Sequence, residues 1–357
     1  MVYNSDELIF VMLDQESLKK RSAIIKTLCF FDIFDFSLTC EEICEYMLYK
    51  KWDFDELCNF INHEEFVIED NCQLYLKGRA LTVKVRRDME HRAKKLIKKA
   101  QKFIKYMQFL PFIRMIGICN SLSFYDADKG SDIDIFIVTE KKRLFIARLF
   151  AVIFTHILGI RRHGRKIKGR FCLSFIVTKE NLNFDGIKLN EEDIYLLYWI
   201  RLMQPVIGKK TYIEFINENA WINSYFEYEI NQNKFLLPES RFLLTLQKIL
   251  EFPLKGFFGN WIETLLGNWQ KKRSQKKAEM LENRDGIMIL DTILKFHDID
   301  MRAKYSFLWK KRISQFEKYF IPNVPGSEKQ SLSQSRQTDT AFEVHFQDSV
   351  YMKSEAH

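Results

Sequence analysis

Two aspartates carry the first chemical signal. Asp132 and Asp134 flank Ile133, and the apolar run Ile135-Phe136-Ile137-Val138 follows, which reads as a β-strand. Residues two apart on a strand project to one face, so the two carboxylates stand together. In apolar surroundings they repel each other and lose hydration. A hard divalent cation, Mg²⁺ or Mn²⁺, resolves that conflict, because carboxylate oxygens and substrate phosphates are its ordinary ligands. Upstream, Met115-Ile116-Gly117-Ile118-Cys119 reads as a second strand and ends in Asn120-Ser121. A serine where a strand gives way to a short helix offers a hydroxyl and free backbone N–H groups to an anion such as a triphosphate. Without a cation, Asp132 and Asp134 are a structural or solvated surface pair.

Ten residues from 161 to 170 hold six cations and no acid: Arg161, Arg162, Arg165, Lys166, Lys168 and Arg170. They precede a third apolar strand, Phe171-Cys172-Leu173-Ser174-Phe175-Ile176-Val177. The cluster reads either as the lining of a nucleotide or phosphate-bearing substrate cleft or as a solvated basic loop. Lys168 and Arg170 are its nucleotide-binding candidates. Lys295-Phe296-His297-Asp298 carries a His beside an Asp, a pairing that is more often structural than catalytic.

The strands 112–119, 132–138 and 170–178, with an apolar helix from Lys142 to Leu158 between the last two, predict an α+β domain over 109–189. Before it, residues 1–78 form an acidic unit. Ser22 to Phe31 is apolar at helical spacing, Thr39 and Glu42 form a capping box, and Asp53 opens a further helix. Phe66-Val67-Ile68 and Leu74-Tyr75-Leu76 flank a turn at Asp70-Asn71, a hairpin signal. Three helices followed by a hairpin is the plan of a winged helix. Residues 79–108 read as one basic helix, 190–322 as a helical region opened by Asn190-Glu191-Glu192-Asp193, and 323–357 as a disordered tail. Leu243 to Trp269 mixes large apolar residues with Lys271-Lys272-Arg273. It reads as helices packed on the body, with a membrane-surface helix as the alternative.

The chain of 357 residues is 47% apolar, which suits two or three folded domains and excludes a wholly disordered protein. Its charge is uneven. Residues 1–70 hold 16 acidic and 6 basic side chains, whereas 79–105 hold 11 basic and 2 acidic. The presumed recognition helix carries Asp53, Asp55 and Glu56, with Glu64 and Glu65 beyond it, so this unit suits protein docking better than DNA. The basic helix 79–105 either contacts nucleic-acid phosphates weakly or offsets the acids before it. The seven cysteines form no CxxC pair and no zinc spacing, as expected for reduced thiols in the cytoplasm. Asp6, Glu7, Asp14 and Glu16 argue against a signal peptide, and Leu149–Ile160 is too short to span a bilayer.

An apolar strand ending in Asn120-Ser121, a gap of ten residues that ends in Ser131, and then Asp132-Ile133-Asp134-Ile135 resembles the polymerase-beta-like nucleotidyltransferase superfamily, whose pattern is Gly-Ser, about ten residues, then Asp-h-Asp-h with h apolar. The resemblance covers roughly residues 110–180. The nearest group is a set of predicted nucleotidyltransferases of unassigned substrate that also carry a winged-helix-like N-terminal unit. It implies a small mixed sheet with flanking helices, with Asp132 and Asp134 as metal and catalytic residues. Asn120, Ser121 and Ser131 would lie at the nucleotide. The reaction implied is transfer of a nucleoside monophosphate from a nucleoside triphosphate to an acceptor hydroxyl on a protein, an RNA or a small molecule. The sequence departs from the pattern twice. Asn120 stands where the family has glycine, and asparagine tolerates the left-handed backbone that a tight turn needs. The third carboxylate, usual on a later strand, has no counterpart in Arg170–Thr178, where Ser174 occupies the expected position. Glu180 and Asp185 follow that strand and could reach in from a loop. The missing acid keeps a second reading open, a non-catalytic nucleotide- or partner-binding module on the same fold.

Overall fold

The computed structural model describes residues 5–49, 52–226, 233–279, 286–296 and 300–319. The expected tail, 323–357, and the pair His297 and Asp298 lie outside them. Among the described residues the fold is mixed α+β, with ten α-helices, a six-stranded mixed sheet and a separate two-stranded one. No helix among them is long and apolar enough to cross a membrane.

The N-terminal elements follow their local signals. Helix α1 spans Ser5–Asp32. Helix α2 (Cys40–Tyr46) opens on the capping box, with Glu42 N donating to Thr39 Oγ1 at 3.2 Å and Thr39 N donating to Glu42 Oε2 at 2.9 Å. Asp53 caps α3 (Phe54–Ile61). Strands β1 (Val67–Asp70) and β2 (Gln73–Leu76) pair antiparallel across Asn71 and Cys72, both at positive φ. Leu38 adds a single antiparallel bridge to Leu74.

Helix α4 (Leu81–Met107) buries Ala93, Ile97, Ala100 and Ile104, three or four residues apart, and leaves Lys94, Lys95, Lys98, Lys102 and Lys105 exposed. Arginines at its start answer the acids before it. Arg79 pairs with Asp32 at 2.7 Å, and Arg86 pairs with Glu42 at 2.6 Å beneath the Phe36 ring.

The central sheet is built on β3 (Ile113–Ile118), β4 (Ile133–Thr139) and β5 (Phe171–Thr178). β3 and β4 are antiparallel. β4 and β5 are parallel, joined by the crossover helix α5 (Leu144–Ile157). The region 190–322, expected to be helical, holds α6 (Ile194–Leu202), α7 (Lys209–Glu218), α8 (Arg241–Glu251), α9 (Gly256–Ala278) and α10 (Met301–Ser314). It also contributes β6 (Gln204–Ile207), β7 (Ile287–Ile289) and β8 (Ile293–Phe296), giving the order β6-β3-β4-β5-β8-β7. These strands are three or four residues long and β6 contains Pro205, too short a run for alternation to register beside long helices.

The two sheet faces belong to different cores. Phe136, Val138, Phe175 and Val177 join the core that contains α6, Phe215 of α7, Trp309 of α10 and the N-terminal helices. Ile133, Ile135, Ile137 and Ile176 face α4 and α5. Strand alternation puts Asp134 on the face of Phe136, beneath α6. From the stretch Leu243–Trp269, Ile262 and Leu266 pack into the second core while Phe257, Trp261 and Leu265 face outward.

Candidate functional site

Strand β3 delivers the chain into a 3-10 turn, Asn120–Phe124, and Asn120 enters it at φ 58°. Asparagine therefore holds a left-handed backbone position, which it tolerates better than most residues. Its side chain also ties three elements together. Asn120 Nδ2 donates to Asp134 Oδ2 at 2.8 Å, and Asn120 Oδ1 accepts from Trp199 Nε1 at 2.9 Å and Tyr195 Oη at 3.3 Å, both on α6. Ser121 Oγ donates to the Asp126 carbonyl at 3.0 Å, which closes the turn.

Asp132 stands immediately before β4 and Asp134 within it. Burial and the neighbouring Asp132 push the Asp134 carboxyl up to about 6, against the pull of the Asn120 bond. Asp132 Oδ2 accepts from Arg162 Nη1 at 2.7 Å. Ligand atoms of Asp132, Asp134 and Cys172 all lie within 4.8 Å of one another, the one such group of three among the described residues.

Cys172 was not a sequence candidate. The parallel register aligns Asp134 with Cys172 and Phe136 with Phe175, so a bulge adds one residue to β5 between them. A regular register carried back from Phe136 and Phe175 would set Leu173 opposite Asp134, whereas the bulge makes Cys172 its neighbour and leaves Ser174 further along the strand. Burial and Asp134 push the Cys172 thiol up to about 12, so it stays protonated. Two carboxylates suit Mg²⁺, which completes its shell with water and phosphate oxygens. A neutral thiol is no ligand for that ion, so the fit rests on Asp132 and Asp134.

A cavity of about 350 Å³ opens against this cluster. Asn120, Ser121 and Asp134 line it on the sheet side, Tyr195 and Trp199 from α6, and Tyr305 and Arg302 from α10. Tyr195 and Tyr305 stack with centroids 5.0 Å apart. Lys295 and Arg302 also border it, and both pair with Asp300. A further buried carboxyl, Asp126, lines the same space. Burial, and then Asp128, push it up to about 7. It lies inside the ten-residue gap, where only its raised proton affinity sets it apart.

The other candidates lie elsewhere. Ser131 Oγ bonds the backbone and side chain of Asp128, both at 2.9 Å, and shapes the loop before β4. Lys168 is exposed, and Arg170 donates to the Gly159 carbonyl; neither lines this cavity. Glu180 lies beyond the far end of β5, and neither it nor Asp185 lines the cavity. Comparison with protein-family models, curated proteins and solved structures finds no match.

Proposed function

We propose that this chain carries a polymerase-beta-like nucleotidyltransferase domain that binds a nucleoside triphosphate with Mg²⁺. The carrying observation is the convergence of Asn120, Ser121 and Asp134 on one aromatic-walled cavity, with Asp132 beside them. The reaction this suits is attack of an acceptor hydroxyl on the α-phosphate, forming the new phosphoester bond and releasing pyrophosphate. The bound cation would screen phosphate charge and align the reacting groups. Asp132 and Asp134 would hold it, and Asn120 keeps Asp134 oriented toward it. Ser121 offers its hydroxyl and backbone to the phosphates, while Tyr195, Tyr305 and Trp199 form a wall on which a base can stack. The Arg162 guanidinium already neutralises Asp132, so arginine and cation compete for that carboxylate.

The winged-helix reading of residues 1–78 belongs to the same proposal. Its support is the order of three helices and a hairpin, with Leu38 bridged to β2 as a short third strand. The acids of this unit suit a protein partner. Lys20 and Arg21 of α1 pair with Glu56 and Glu64, which leaves Asp53, Asp55 and Glu65 for that partner.

A second reading is a non-catalytic nucleotide- or partner-binding module. It is favoured by one observation: a protonated thiol, Cys172, stands beside Asp134 where a third carboxylate would serve to take the proton of the attacking hydroxyl. Mg²⁺-dependent stabilisation by nucleoside triphosphate, lost in Asp134→Asn, tests the binding that both nucleotide readings share. Transfer across a panel of acceptors separates them.

A further inference from the structure

On the other side of Cys172 lies a second, larger cavity of about 610 Å³, which shares no lining residue with the first. Arg148 of α5, Arg161 and Arg162 of the loop before β5, and Arg273 of α9 all line it. No described Asp or Glu lines it. Four guanidinium groups around one space repel one another, and the fold nevertheless holds them there. Arg148 Nη1 donates to Gln270 Oε1 at 2.6 Å, Gln270 Nε2 anchors to the Phe145 carbonyl at 2.9 Å, and the Arg148 guanidinium lies 4.9 Å from the Phe296 ring centroid. Arg148 Nε is buried without a partner. Arg273 lies over Trp269 at 5.7 Å. Burial, followed by Arg161 and Arg273, pushes Arg148 down to about 10, and burial and Arg273 lower Arg161 as well. Arg162 has Asp132 as its counter-ion, whereas Arg148, Arg161 and Arg273 have no acidic partner among the described residues, and binding an anion removes their repulsion.

We infer that the cleft of Arg148, Arg161, Arg162 and Arg273 is a binding site for clustered phosphate groups. Guanidinium forks match phosphate oxygens bidentately, and four of them suit a di- or triphosphate better than a single carboxylate. Asp134 lines the first cavity, its register neighbour Cys172 lines the second, and Arg162 of the cleft reaches Asp132 at 2.7 Å. The phosphates then belong to the acceptor, with its hydroxyl directed past Arg162 toward Asp132. The other source is the nucleotide's own β- and γ-phosphates. The anion site stands on the four arginines alone; naming the acceptor as its occupant rests on the nucleotidyltransferase reading.

The probe is inorganic tripolyphosphate, titrated calorimetrically into the full-length protein in EDTA, so that no cation takes part. Saturable binding is expected, at least tenfold weaker in Arg148→Gln and in Arg273→Gln and unchanged in Asp134→Asn. Circular dichroism and melting curves of each variant establish that it folds. Absent binding, or binding that folded arginine variants keep, overturns the inference. The titration is then repeated with a saturating Mg²⁺ complex of a non-hydrolysable nucleoside triphosphate. Undiminished tripolyphosphate binding assigns the cleft to the acceptor, whereas competition assigns it to the nucleotide tail and overturns the acceptor assignment. Failure of the nucleotide complex to bind at all, with tripolyphosphate binding intact, sinks the nucleotide reading and leaves the anion site standing.

Discussion

Asn120 Nδ2 donates to Asp134 Oδ2 at 2.8 Å, so the residue that opens the turn after β3 also orients the carboxylate of the candidate metal site. Glycine could adopt φ 58° but could not hold Asp134, Trp199 and Tyr195 together. Asn120→Gly should therefore keep the turn and lose the bonds. Losing partners at a buried indole N–H and a carboxylate costs about 1–3 kcal/mol, read from urea denaturation. The Asp134 carboxyl should also titrate at higher pH, since a bond that favours its charged form has gone. Unchanged stability would show that the Asn120 side chain is incidental.

Asp134→Asn tests the cation site by mass action. Nucleoside triphosphate with Mg²⁺ at a hundredfold excess over its dissociation constant should stabilise the wild type by about 2.7 kcal/mol. The metal-dependent part of that gain should largely vanish in the variant. In the apo protein the sign differs. A carboxyl raised to about 6 carries its full stability contribution below its unfolded value near 4 and loses it as pH rises through 6. At pH 7 the asparagine variant should be no less stable than the wild type, and Asn120 still has an acceptor at position 134. A destabilised apo variant together with an unresponsive wild type would mark the pair as structural.

Much of this arrangement was legible in the sequence where local chemistry decides it. Thr39 with Glu42, Asp53, the hairpin and Asp193 as the cap of α6 all follow short-range rules. The strands at 113–118, 133–139 and 171–178 announced themselves by runs that are apolar but for Arg114, Asp134, Ser174 and the terminal threonines, since both faces are covered. The site beyond Asp132, Asp134, Asn120 and Ser121 was not legible. Cys172 reaches Asp134 only through a bulge, which no periodicity reveals. Tyr195, Trp199, Arg302 and Tyr305 reach the cavity from 60 residues or more along the chain, through helices whose packing the sequence does not encode locally. Likewise, Arg148 and Arg273 join the arginine loop only because α9 packs on α5, where Gly267 lies against the Phe145 ring.

Asp126 gives the protein a pH dependence of known sign. Its carboxyl is raised to about 7 by burial, so its contribution is fully present below pH 4 and is lost as pH rises to 7. The difference in stability between Asp126→Asn and wild type should grow by ~1.4 kcal/mol per pH unit over that window and level off above it. Nucleoside triphosphate affinity should also fall above pH 7 in the wild type, as a carboxylate forms in the cavity beside the phosphates, and fall less in the variant. Denaturation and binding measured at pH 5 and pH 8 decide both points. Parallel pH profiles for the two proteins would mean that Asp126 titrates like an exposed acid.

The cations of helix α4 and of the turn before it divide between two tasks. Arg79 and Arg86 are committed to Asp32, Asp35 and Glu42, so removing them should destabilise the protein without changing any nucleic-acid affinity. Lys95, Lys98, Lys102 and Lys105 lie exposed along one helix and are free of any described acid partner. Together they can neutralise a few phosphates, so the full-length protein should bind duplex DNA weakly and without sequence preference. Log K should fall with log salt by about 0.9 for each phosphate contacted. Replacing these four lysines with glutamine should leave stability within about 0.5 kcal/mol and flatten the slope. Fluorescence anisotropy at several salt concentrations reads both. Salt-independent binding, or binding by residues 1–77 alone at physiological salt, would move the nucleic-acid surface to the acidic N-terminal unit, against the charge that Asp53, Asp55 and Glu65 present there.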